Sequence, residues 1–342
     1  MSKKIIYCAD GTWNSGERTN TNVHRFYKVL ASGPAQVKLY DTGVGIEGGF
    51  FARLRGGAFG EGLVGNVREG YERIAEVFDD GDQLFLIGFS RGAYTARSLG
   101  GMIAYCGLPF RRPTGRLVDQ AFHAYRNRPG GEKKWPDPPA EALMVDGHVV
   151  MIGVWDTVGT LGIPGALFGR LDQKAYGFLD TRLHADVEAG YHALSLDEER
   201  RQFPPTLWVD EPAGGQTIEQ VWFGGVHCDV GGGFPATSLA DITLAWMLSN
   251  AEKHGVEIDP AVAATFPALL LEGAAALGPV NRSWNPLWGL PRRRTPGDDA
   301  LVANSVAHRV SEQSRYTPPL TVVDRKPRRL AASYKLASVV RA

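Results

Sequence analysis

The sequence predicts an α/β protein: a mostly parallel sheet with helices on both faces. Three observations predict it. Apolar runs too short for a helix recur at residues 5–9, 84–87 and 148–155, and such runs suit strands buried on both faces of a parallel sheet. Segments with apolar residues at helical spacing alternate with them, which gives a β-α-β-α-β rhythm. The chain has 342 residues, 44% of them hydrophobic, ample for one large buried core.

The elements follow in order. The strand at 5–9 ends at the turn cluster Asp10-Gly11-Thr12-Trp13-Asn14. Val23, Phe26, Tyr27 and Leu30 mark a helix, and residues 37–40 a second strand. A glycine-rich loop is expected from 43 to 65. Val67, Tyr71, Ile74, Ala75 and Phe78 then line one face of a helix that stops at Asp79-Asp80-Gly81. The strand at 84–87 leads through a sharp turn into a helix from 91 to about 104. Residues 108–147 interrupt the rhythm with a short helix (Leu117, Ala121, Phe122, Tyr125) and a Pro/Gly-rich stretch.

Residues 148–155 form the next strand, ending at Asp156, and 162–178 read as loop. A helix is expected over 187–194, before the charged run Leu196-Asp197-Glu198-Glu199-Arg200-Arg201. The last clear strand, 218–223, ends at Gly224-Gly225-Val226-His227-Cys228-Asp229. A helix over 237–250 carries the capping-box variant Ser238-x-x-Asp241, and Gly255 ends it. The pattern predicts one catalytic domain, 1–320, with a partial cap from insertions at about 108–147 and 260–296, and a basic tail at 321–342.

Thirty-seven basic and 37 acidic residues balance, so no electrostatic footprint points to nucleic acid. Three cysteines form no framework and read as reduced thiols. The first residues carry no secretory apolar region, and no run approaches the ~20 residues of a membrane span. A cytoplasmic site of synthesis is expected, and export without a cleavable signal is compatible with it. The histidines show no metal-ligand spacing, so neither metal nor other cofactor is expected. No pattern fixes an oligomeric state.

The chemistry centres on Gly88-Phe89-Ser90-Arg91-Gly92, a G-x-S-x-G turn between a buried strand and a helix. Gly88 and Gly92 must be small where strand and helix converge. Ser90 is the candidate nucleophile, and the Arg91 N–H faces the place where an oxyanion would form. Asp156 and His227 stand at the ends of two later strands. In a parallel sheet all those ends lie on one edge. Ser, then Asp, then His is the α/β-hydrolase order, so an α/β-hydrolase-like sheet is expected. Ser90 would attack a carbonyl, His227 would take and return the proton, and Asp156 would hold the imidazole. A second oxyanion donor is expected from the backbone of Gly11 or Thr12. A plain Asx-turn at Asp10 explains the same residues.

Other readings have their own residues. Asp10, Asp156 and Asp229 could serve a metal-dependent phosphoesterase at the same strand ends, and the fold could equally be a catalytically silent binding module. Gly43-Val44-Gly45-Ile46-Glu47-Gly48 matches a dinucleotide fingerprint, but the glycines after it oppose the required helix. Asp10-Gly11-Thr12 is similar to an aspartyl-phosphatase motif whose first Asp is here Cys8.

Several stretches occur together and in order: Cys8-Ala9-Asp10-Gly11-Thr12-Trp13-Asn14, Gly88 to Arg97, Val154-Trp155-Asp156-Thr157-Val158-Gly159, Ala193 to Glu198, and Val221 to Gly233. Together they resemble the catalytic-domain family of the type VI secretion phospholipase effectors, a group of α/β hydrolases. The resemblance implies a triad carried by Ser90, Asp156 and His227, and hydrolysis of acyl esters, in the effectors those of phospholipids. A small ester or phospholipid is thus the expected substrate. Transient contact with a membrane surface would use Phe50-Phe51, 161–168 and 284–290, flanked by Arg53, Arg55 and Arg292 to Arg294. The same aromatics would equally suit the underside of a cap.

Overall fold

The short apolar runs form the centre of the sheet. A computed structural model describes residues 2–11, 20–43, 59–110, 112–129, 134–158, 182–209, 211–265, 273–323 and 329–339, with side chains from 64 onward in the helix that begins at 59. β1 (Lys4–Ala9) leads to α1 (Asn22–Val29) and β2 (Gln36–Asp41). α2 (Phe59–Val77), β3 (Gln83–Phe89) and α3 (Arg91–Cys106) follow, then α4 (Gly115–Arg126) and β4 (His148–Trp155). β5 (Ala189–Ser195), β6 (Thr217–Phe223), α5 (His227–Gly231) and α6 (Ser238–Lys253) come next. β7 (Leu301–Ala303), α7 (Asn304–Glu312) and β8 (Lys335–Ala337) complete the sheet.

The strand order is β8-β7-β6-β5-β4-β3-β1-β2, and every pairing is parallel. β1 lies between β2 and β3, so the chain reverses direction across the sheet there. The crevice beyond the carboxyl ends at such a reversal receives the loops after β1 and β3. Val23 and Phe26 of α1 and Ile242 and Leu248 of α6 cover one face. Val67 and Tyr71 of α2, Leu99 of α3 and Tyr125 of α4 cover the other.

Five differences from the sequence reading have physical causes. Residues 187–194 are not a helix: β5 occupies Ala189–Ser195, with all seven residues buried. A strand buried on both faces shows no alternation, so its apolar positions fit a helical period equally well. The strand at 218–223 is not the last, because β7 and β8 extend the same sheet. Both are three residues long and carry too little pattern to read. The tail beyond 320 therefore carries an edge strand, Lys335–Ala337. α2 begins at Phe59, inside the expected glycine loop, because its packed face from Val64 to Phe78 outweighs the low helix propensity of its glycines. Asp241 accepts from Thr237 Oγ1 at 3.1 Å and pairs with Arg25 at 2.5 Å, so its partners are not those of a Ser238 box.

The excursion at 108–147 leaves from the end of α3 and returns at the start of β4. Both points lie at the amino edge of the sheet, and α4 packs beside α2 and α3. The late segment up to Arg294 instead reaches the carboxyl edge. Among the described residues no helix is long and apolar enough to cross a membrane.

Candidate active site

β3 delivers Ser90 at the crevice. Ser90 has φ 57° and ψ −114°, left-handed backbone that a non-glycine residue occupies only when its surroundings hold it. Both flanking glycines are required by close approach. A Cβ on Gly88 would lie 2.3 Å from Gly92 O, and one on Gly92 would lie 2.0 Å from Ala9 O. Strand, helix and the end of β1 thus meet with no room for a side chain. The Ser90 N–H donates to Trp155 O at 3.1 Å, which fastens the elbow to the residue before Asp156.

Asp156 also has positive φ, 38°, and is fully buried. His227 opens α5 and shares a hydrogen bond with it, Nδ1 to Oδ2 at 2.6 Å. The same carboxylate accepts the Ser195 N–H and hydroxyl at 2.9 and 3.1 Å. It also accepts a fork from Arg294, Nη1 to Oδ1 at 2.6 Å and Nη2 to Oδ2 at 3.0 Å. Burial alone would raise the Asp156 proton affinity. The Arg294 charge and the His227 hydrogen bond outweigh it and hold the carboxyl well below the usual range. An ionised Asp156 makes His227 Nδ1 the donor and leaves Nε2 as an acceptor.

The imidazole is fixed on its other sides too. The His227 backbone N–H donates to Glu198 Oε2 at 3.2 Å, and Glu198 is itself forked by Arg200 at 2.8 and 2.9 Å. The Phe89 ring lies 4.6 Å from the His227 ring, and Phe203 stands edge-on at 5.2 Å. Arg200 covers Phe203 at 3.6 Å, and Trp288 packs edge-on against Phe203 at 5.8 Å.

The structure therefore brings Asp156 and His227 into direct contact, while Ser90 bonds through its backbone N–H to Trp155 O, one residue before Asp156. Gly11 also belongs here, since a Cβ on it would be 3.7 Å from Ser90 Cβ. Its N–H donates to Asp10 Oδ1 at 2.7 Å, while Asp10 Oδ2 accepts from Thr21 and Tyr40 at 2.5 and 2.7 Å. Thr12, residues 44–48 of the glycine motif, Phe50, Phe51, Arg53, Arg55 and 161–168 lie outside the described residues.

Asp229 turns to Val226 N–H and to Asn281 at 2.6 to 3.0 Å, not to Asp156 or Asp10. Among the described residues no three His, Cys, Asp or Glu side chains are grouped to hold a metal ion. Sequence reasoning missed four parts of the site: Ser195, Glu198, Phe203 and Arg294. Ser195 sits on the strand whose pattern reads as a helix. Arg294 lies in a run of arginines, where a charge is ordinarily solvated, yet it is 6% exposed.

A parallel sheet with helices on both faces, carrying a strained strand-turn-helix elbow where the strand order reverses, is an α/β-hydrolase-like fold. Residues 3–250 match the family described as T6SS, Phospholipase effector Tle1-like, catalytic domain, and the chain belongs to that family. Membership supports a hydrolytic activity of the phospholipase or esterase type. The chain is 28% identical over 236 residues to Uncharacterized protein YEL023C of Saccharomyces cerevisiae, spanning 61% of this chain and 33% of that one. A crystal structure of an uncharacterized protein from Pseudomonas aeruginosa aligns with TM-score 0.47 and 18% identity, over 78% of this chain and 48% of that one. The Tle1 effector bound to the VgrG spike of the type 6 secretion system aligns with TM-score 0.43 and 18% identity, over 69% and 52%.

Proposed function

We propose that the chain is a serine hydrolase of carboxylic acyl esters, with a lipid or phospholipid as its substrate. The observation that carries this reading is the buried 2.6 Å hydrogen bond between His227 and Asp156, and the strained Ser90 elbow supports it. In this mechanism Ser90 Oγ attacks the ester carbonyl carbon while His227 Nε2 takes the hydroxyl proton. The carbonyl oxygen becomes an oxyanion, stabilised by the Arg91 N–H and, since Asp10 takes the Gly11 N–H at 2.7 Å, by the backbone N–H of Thr12 as the second donor. The C–O bond to the alcohol then breaks. His227 returns the proton to the departing alkoxide, leaving an acyl-Ser90. Water adds to that ester, giving its proton to His227, and collapse releases the carboxylic acid and restores Ser90. Asp156 stays ionised throughout and offsets the imidazolium charge.

The test is labelling with a fluorophosphonate probe, together with hydrolysis of 4-nitrophenyl butyrate and of phospholipid vesicles. Wild type should be labelled at Ser90 and should turn over at least one ester, with Ser90→Ala silent in both. Ester turnover that survives Ser90→Ala would remove the reading. Activity lost to a chelator but indifferent to Ser90 would favour the phosphoesterase alternative.

A further inference from the structure

Arg294 donates to buried oxygens of the site on three sides. Besides its fork on Asp156, Nη1 donates to Ser195 O and Oγ, both at 2.7 Å, and Nη2 donates to Phe203 O at 2.8 Å. Its loop is sewn to residues 198–203 at several points. Ser283 Oγ donates to Glu198 at 2.9 Å, Gln202 Nε2 to Trp288 O at 2.9 Å, and the Arg292 N–H to Glu199 O at 2.8 Å. An exposed loop at the carboxyl edge thus ends in a buried cation on the acid of the His227–Asp156 pair.

We infer that Arg294 is a positioning residue for the acid arm of the site. It locks the Asp156 carboxylate in the rotamer that faces His227, and it makes that alignment depend on the seating of the 283–294 loop. The inference rests on the triad reading above. Two oxygens held by a planar fork cannot rotate about χ2, which a single donor would permit. The guanidinium also shares the carboxylate with the imidazole. A proton on His227 therefore faces a fixed positive charge a few ångströms beyond its partner. The other charged or titratable groups around the pair are Glu198 and Arg200 after β5, His192 on β5, and Cys228 and Asp229 beside His227. None of them changes in the variants below.

The experiment uses fluorophosphonate labelling rates and 4-nitrophenyl butyrate kinetics for wild type, Arg294→Met and Arg294→Lys. Arg294→Met should lower the labelling rate and kcat about tenfold or more, with KM little changed. Arg294→Lys keeps the charge but not the fork. It should label more slowly than wild type, because a single ammonium cannot hold both carboxylate oxygens. Should Arg294→Met fail to fold, the lysine variant decides: wild-type rate in it overturns the proposal. A folded Arg294→Met with wild-type labelling and wild-type kcat also overturns it. Those outcomes leave Ser90 labelling intact, whereas loss of the triad reading would appear as absent Ser90 labelling in wild type itself.

Discussion

Asp197 shows how a single residue near the site sets a pH dependence. Its Oδ2 accepts the Gly225 N–H at 2.7 Å and the Tyr316 hydroxyl at 2.9 Å, tying the end of β5 to the loop that presents His227. Burial pushes its carboxyl up to about 6, against the lowering effect of those two donors and of Arg309. A carboxyl raised in the folded state contributes stability below its unfolded value, near 4, and that contribution is lost as pH rises through about 6. Asp197→Asn retains an oxygen for both donors and removes the titration. Melting curves from pH 4 to 7 should therefore show a decline in wild type, on the order of 2 kcal/mol, that is much reduced in the variant. Parallel declines in both proteins would refute the assignment. Legibility at this scale followed motif context. Ser90, Asp156 and His227 were readable because each follows an apolar strand run. Arg294 was not, because an arginine that forks a distant carboxylate looks in sequence like its two exposed neighbours.

At the scale of elements, the elbow depends on three backbones meeting within van der Waals distance. A methyl group on Gly92 would press on the carbonyl of Ala9 at 2.0 Å, and both are main chain, so neither can swing aside. Gly92→Ala should cost several kcal/mol, enough to lower the melting temperature by more than about 10 °C or to leave no soluble protein. A variant that melts like wild type would mean that β1 and α3 can separate freely, and the elbow would not be strained as described. The elements themselves were legible where faces differ or where runs are long. β1, β3, β4 and α3 fall at nearly the expected bounds. β5 was lost because both its faces are buried, and β7 and β8 because three residues carry no period. The cost of losing β5 was chemical as well as topological, since that strand carries Ser195 to Asp156.

At the scale of the whole molecule, the carboxyl edge shows two contrasting apolar groups. Trp288 packs against Phe203, and the Trp284 Nε1–H donates to Gly289 O at 2.9 Å, so both tryptophans belong to the loop's own packing. Leu287 and Leu290 point away, each 83% exposed, with Arg292 and Arg293 exposed close behind them. Leucines at a loop tip backed by arginines suit the surface of an anionic bilayer, if lipid is the substrate proposed above. Two leucines entering the interface would contribute on the order of 3 kcal/mol, about a hundredfold in surface binding. The double variant Leu287→Ser, Leu290→Ser should therefore hydrolyse anionic phospholipid vesicles at least about tenfold more slowly, while turnover of 4-nitrophenyl butyrate stays within about twofold. Added salt should weaken the vesicle activity of wild type, because the arginine contribution is screened. Trp288→Ser should behave differently and lower both activities together, since it removes the support of Phe203 and, through it, of His227. Equal loss on both substrates in the leucine variant would place those side chains in the loop's packing as well, and the membrane-facing role would then have to lie with another segment.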